Sequence, residues 1–131
     1  MLGVDTNVLI RFLVKDDPRQ TLIAETFFRK KISITNPGFI NLVVLAETVW
    51  VLTRTYKYQK SVILEVIGRI LNAAELVVED AESVETALEM YRTQPIDFAD
   101  ALVAAHNQSQ GCRTTVTFDR KLAATALAQA I

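Results

Sequence analysis

The chain has 131 residues, half of them apolar and 22% charged, with four Gly and three Pro. That excludes disordered, collagen-like and low-complexity classes and predicts one globular domain with a real core. The net charge of −1 announces no basic nucleic-acid face. It is unevenly spread, with ten Lys/Arg against six Asp/Glu over residues 1–70 and four against nine over residues 71–131. The acidic excess of Glu75, Glu79, Asp80, Glu82, Glu85 and Glu89 reads as a solvated helix face. Arg29, Lys30, Lys31, Arg54, Lys57 and Lys60 are cations that a nucleic acid can use locally.

In chain order, Leu2-Gly3-Val4 is a short apolar strand, and residues 7–14 give a helix on Val8, Leu9, Phe12 and Leu13. "DDPRQ" predicts a helix start, with Asp17 as cap and Pro18 at the first helical position, running to about Lys30. "ISITN" alternates from Ile32 and is predicted as the second strand, ended by Pro37 and Gly38. Residues 41–56 are apolar and free of breakers, a buried helix. The apolar run from Phe39 to Leu52 within this region is too short and too interrupted to span a bilayer.

A further helix follows over residues 60–72, then a third strand at "ELVVE" and a helix over residues 81–93. Asp97 is placed to cap a helix carrying Phe98, Ala101, Leu102 and Ala105, with Gly111 as its stop. Residues 113–118 form a fourth strand, and helix resumes at Arg120. Strands separated by helices predict an α/β fold with a parallel sheet covered on both faces. Asp5 interrupts any leader-like apolar stretch, so no export signal is expected. The single Cys112 fits a reducing cytoplasm.

The chemistry lies in the acids. Parallel sheets bind at the carboxyl ends of their strands. Asp5 leaves the first strand there, Asp119 follows "TTVTF", and Asp97 or Asp100 begins the helix before that strand. Glu47 is the lone charge between Phe39 and Leu52, and its burial without a partner would be costly. Each has a plain alternative: Asp5, Asp97 and Asp119 can cap helices, and Glu47 can face solvent. Carboxylates that converge need a cation, and an all-oxygen set favours Mg²⁺ or Mn²⁺. His106 and Cys112 form no zinc-type cluster.

"VDTNVLIRFLVKDDPRQ", "LAETVWVL", and "DFADALVAA" followed by "TFD" resemble the PIN-domain ribonucleases, specifically the VapC type of toxin–antitoxin systems. The resemblance implies that residues 1–131 form a single Rossmann-like, three-layer PIN domain with a short parallel sheet of four or five strands and helices on both faces. It also implies Mg²⁺-dependent endoribonuclease activity on RNA, a homodimer and a small antitoxin partner. By motif match Asp5, Glu47, Asp100 and Asp119 are the catalytic, metal-holding acids. Asn7 and Thr117 fall where polar groups support them. The match selects Asp100 over Asp97, which is left as the cap. The tail "ATALAQAI" departs from the pattern, lacking the Gly-containing turn that precedes a last strand.

Two other readings exist. A receiver-like phospho-signalling domain would need an acidic pair at the first strand's end and a later Lys. Asp16 and Asp17 lie beyond that strand, and Lys121 follows Asp119 too closely. A PIN fold that only binds RNA would not need the full set of acids.

Overall fold

A computed structural model describes residues 1–131. The chain packs as two units, Met1–Glu79 and Asp80–Ile131. In the first, β1 (Leu2–Gly3) leads into α1 (Thr6–Val14), α2 (Pro18–Lys31), β2 (Gly38–Ile40), α3 (Leu42–Arg54), α4 (Lys60–Asn72) and β3 (Leu76–Val78). The strands form one parallel sheet in the order β1-β2-β3, with Leu2 opposite Gly38 and Gly38 opposite Leu76. Parallel pairing follows from the helices between the strands, which return the chain to the same end each time. Leu9, Ile40, Leu45, Leu52, Ile63 and Ile67 are buried almost completely.

The helix start at "DDPRQ" forms as the sequence predicts: Asp17 caps α2 by accepting from the Gln20 amide at 3.0 Å, with Pro18 in the first turn. The structure adds a cap that the sequence reading does not name: Asn41 caps α3 by accepting from the Val44 amide at 2.8 Å. Both satisfy amides that have no partner inside the helix.

The second strand is displaced from its predicted place. Residues 33–36 fold into a turn in which the backbones of Ser33 and Asn36 bond each other in both directions. The Asn36 side chain also donates to the Lys31 carbonyl at 2.8 Å, closing the end of α2. The alternation in "ISITN" is therefore spent on a turn, and pairing begins after Pro37, which has no amide to give a ladder. Gly38 is the first residue of β2 rather than a stop. A Cβ there would lie 3.1 Å from Leu76 Cδ2 and 3.2 Å from Val4 Cγ2, so both methyls would have to shift to admit it, and the tight packing suits glycine.

The second unit contains α5 (Ala81–Thr93), α6 (Phe98–Ser109), β4 (Thr115–Thr117), α7 (Arg120–Ala123) and β5 (Ala128–Ala130). Helices α5 and α6 pack along each other, and Tyr91 meets Phe98 edge to face at 5.9 Å. β4 and β5 form a parallel two-stranded sheet, with Ala104, Leu122 and Ala128 buried together. The predicted α/β fold is thus present, as seven helices, a three-stranded parallel sheet and a two-stranded one. The last strand forms without a glycine turn. Thr125 makes the turn instead, its buried hydroxyl and its amide both donating to the Leu122 carbonyl.

Asp80 enters α5 in the left-handed region, at φ 47°. Its Oδ2 receives the Ser109 hydroxyl at 3.0 Å and lies 2.7 Å from His106 Nδ1, tying the two helices. Partial burial works against the charged form, but bonds from Ser83, His106 and Ser109 outweigh it and hold the carboxyl down at about 2. A depressed carboxyl contributes stability above its ordinary value and loses it as pH falls from about 4 through about 2. Asp80→Asn keeps the shape and tolerates the left-handed backbone. It is expected to cost about 1 kcal/mol at pH 7, a modest figure because the carboxylate is partly solvated. Thermal melts check this: the difference from wild type should be a few degrees at pH 7 and close to nothing near pH 2.

Candidate active site

At the carboxyl end of β1, Asp5 occupies the N-cap position of α1 without using its side chain to cap. Its carboxylate is exposed and not committed to the helix. The next residue, Thr6, is buried and donates its hydroxyl to Glu47 Oε1 at 2.8 Å. One turn of chain after β1 thus supplies a free carboxylate and a clamp for a second. Asn7 is exposed, and with Asp5, Val8, Arg11 and Phe27 it lines a cleft of about 590 Å³.

Glu47 is not buried as the composition of its helix suggests. α3 turns Val44, Leu45, Thr48, Val49 and Leu52 inward and leaves Val43, Glu47 and Trp50 exposed. No cost of burial therefore forces Glu47 to find a cation. Its position is fixed by Thr6, a residue singled out by no property of the sequence beyond a hydroxyl between Asp5 and Asn7.

In the second unit Asp97, Asp100 and Asp119 line one cleft of about 360 Å³, together with Ile96, Arg120 and Lys121. Asp97 holds the N-cap position of α6 but makes no side-chain cap bond, contrary to the role predicted for it. Asp100 stands in the first turn, where the helix dipole favours a negative charge. Burial, followed by the charges of Asp97 and Asp119, nevertheless pushes its carboxyl above the ordinary value. Asp119 does cap: its Oδ1 accepts from the Leu122 amide at 2.9 Å, which leaves Oδ2 for another partner. Thr117 fixes the turn ahead of it, accepting the Asp119 amide on Oγ1 at 2.9 Å.

Asp5 and Glu47 thus belong to one unit and Asp100 and Asp119 to the other. Within neither unit do three Asp, Glu, His or Cys side chains stand close enough to hold an ion by themselves. The donors are all oxygens, and the crowding of Asp97 and Asp119 on Asp100 is the kind of repulsion a hard divalent cation relieves. The chemistry of the set therefore fits Mg²⁺ or Mn²⁺. His106 is engaged with Asp80, and Cys112 is a free, exposed thiol. No helix is long and apolar enough to cross a membrane.

The clamp on Glu47 is open to test. Thr6→Val keeps the volume and removes the donor, and it is expected to lower any activity that depends on Glu47 by about tenfold, the scale of losing a group that orients a ligand. Stability should fall by no more than about 1 kcal/mol, because Glu47 remains solvated. Steady-state rates and a melt on the same preparation separate the two effects.

The sequence pattern of the family described as "PIN domain" matches residues 3–127. The chain is also similar to a VapC ribonuclease of Aquifex aeolicus (strain VF5), with 29% identity over 118 residues that cover 90% of this chain and 87% of the relative.

Proposed function

This chain belongs to the PIN domain family, and on that premise we propose that it is a divalent-metal-dependent endoribonuclease that hydrolyses RNA phosphodiester bonds. The observation that carries the reading is the cleft lined by Asp97, Asp100 and Asp119, in which an acid is held near two others with its charged form disfavoured. Such an arrangement costs stability and has a use once a cation is bound. The similarity to a VapC ribonuclease supports RNA as substrate. We infer further, from the resemblance to the VapC type, a toxin of a type II toxin–antitoxin pair that acts in the cytoplasm as a homodimer and is restrained by a small antitoxin protein.

Asp5, Glu47, Asp100 and Asp119 are the residues that would hold Mg²⁺, or Mn²⁺ in its place. The bound ion supplies Lewis acidity toward a non-bridging phosphate oxygen, lowers the pKa of water and stabilises the leaving oxygen. Glu47, steadied by Thr6, would either ligate the ion or orient the attacking water. Asp100 sits at the start of α6, with its backbone set by the helix, so its carboxylate needs little reorganisation to bind. Asp119 caps α7 through Oδ1, which would leave Oδ2 for the ion, and Thr117 keeps its turn in place. Asn7 supports the carboxylates from the start of α1.

Sequencing RNA ends after brief expression tests this reading. Discrete new ends that are missing when the Asp100→Asn protein is expressed are the expected result. End profiles identical between the two would overturn it.

A further inference from the structure

Four exposed residues of α3, Val43, Glu47, Trp50 and Arg54, are spaced four, three and four apart. On an α-helix they fall within about 60° of each other and form one stripe facing solvent. Trp50 lies about 4.5 Å along the axis from Glu47, and Arg54 about 6 Å further on. Trp50 is 58% exposed, an unusual state for the largest apolar residue in a protein. Beyond it stand Arg54 and Lys57. Arg11, Lys15, Arg69 and Arg92 each contact a carboxylate, whereas Arg54 and Lys57 are exposed and take part in no ion pair.

We propose that Trp50 stacks on an unpaired base of the RNA while Arg54 and Lys57 take its phosphates, so that this face of α3 positions the strand against Glu47. The inference rests on the RNA-cleavage reading and names how the substrate is held. The order of carboxylate, ring and guanidinium decides between occupants. The cores of protein interfaces are depleted in charge, and here Glu47 and Arg54 flank the ring on both sides. A nucleotide strand wants a π-face beside cations and has no use for a continuous apolar patch. The pairing of a candidate carboxylate with an exposed ring recurs at Phe118, 86% exposed and immediately before Asp119.

Trp50 is the one tryptophan of the chain, so fluorescence excited beyond the tyrosine absorption band reports on this residue alone. Wild-type protein is titrated with an unstructured single-stranded oligoribonucleotide in EDTA, which blocks hydrolysis, and with a blunt RNA duplex of equal length. Saturable quenching by the single strand and little by the duplex is expected. Trp50→Ala should weaken binding of a labelled strand about 5- to 100-fold. Trp50→Phe should restore most of it, and Arg54→Gln should lower the salt slope by about one. In steady state Trp50→Ala should raise KM far more than it lowers kcat.

Cleavage and binding with Trp50 fluorescence unchanged, or equal binding by Trp50→Ala, would overturn the stacking role and leave the nuclease reading standing. So would fluorescence and sedimentation that vary together with protein concentration, which would make this face a contact between copies. Quenching and rescue without any cleavage would uphold the stacking role while removing the nuclease.

Discussion

Asp100→Asn is expected to abolish RNA cleavage, by at least about 10²-fold, and to leave the protein as stable as wild type or more so. The loss follows from removing a metal-holding charge where an amide oxygen is a poorer ligand. The gain follows from the raised carboxyl of Asp100, which burial and then Asp97 and Asp119 push above its ordinary 3.8. An acid with a raised folded value is unfavourable wherever it is charged. Its cost appears as pH climbs through the ordinary carboxylate range and persists at pH 7. In EDTA the variant should therefore melt above wild type at pH 7, and the advantage should vanish below about pH 4. Asp97→Asn should change cleavage little, since Asp97 is not among the proposed ligands. It should not weaken α6 either, because its side chain makes no cap bond there. Paired rate and melting measurements on the two variants decide it; the reverse pattern would exchange their roles.

Phe98→Ala should have the largest effect on folding. Phe98 is 2% exposed, opens the helix that carries Asp100, and meets Tyr91 edge to face. Truncating a buried Phe costs about 3–5 kcal/mol, against total stabilities of about 5–15 kcal/mol for domains. At roughly 3–5 °C per kcal/mol for a chain of this size, Tm should fall by about 10–20 °C. Cleavage should fail at temperatures where wild type works and recover on cooling. Phe98→Leu, which keeps most of the volume, should lose much less. An unchanged melt for Phe98→Ala would mean that α6 is not anchored through this ring.

The helix start at Asp17-Pro18 was legible because its signal is local, and the structure uses it. Asp97 carried a similar signal but makes no cap bond, while Asn41, not read as a cap, makes one. The second strand was not legible, because the two-residue alternation of "ISITN" also suits a turn closed by Asn36. What distinguishes Gly38 is the proximity of Val4 and Leu76, distant in sequence. The last strand escaped for a similar reason: Thr125 supplies a turn where the family pattern has glycine.

Among the site residues, Asp5 and Asp119 could be placed at strand ends from pattern alone, and the structure finds them there. Glu47 was recognisable as an unusual residue, but its exposure was not. Apolar spacing in α3 leaves open which face turns outward, and Val43 and Trp50 lie on the outside with it. Thr6 carried no signal of its own. Its role exists only because the fold brings residue 6 to residue 47.

The most direct test of carboxylate-held metal acting on RNA is a time course of purified protein with a defined single-stranded RNA, in Mg²⁺ and in EDTA, with Asp5→Asn alongside. Cleavage at fixed positions in Mg²⁺, none in EDTA, and a loss of at least about 10²-fold in Asp5→Asn is the predicted result. Cleavage undiminished by EDTA or by Asp5→Asn, or intact RNA with wild-type protein in Mg²⁺, would contradict it.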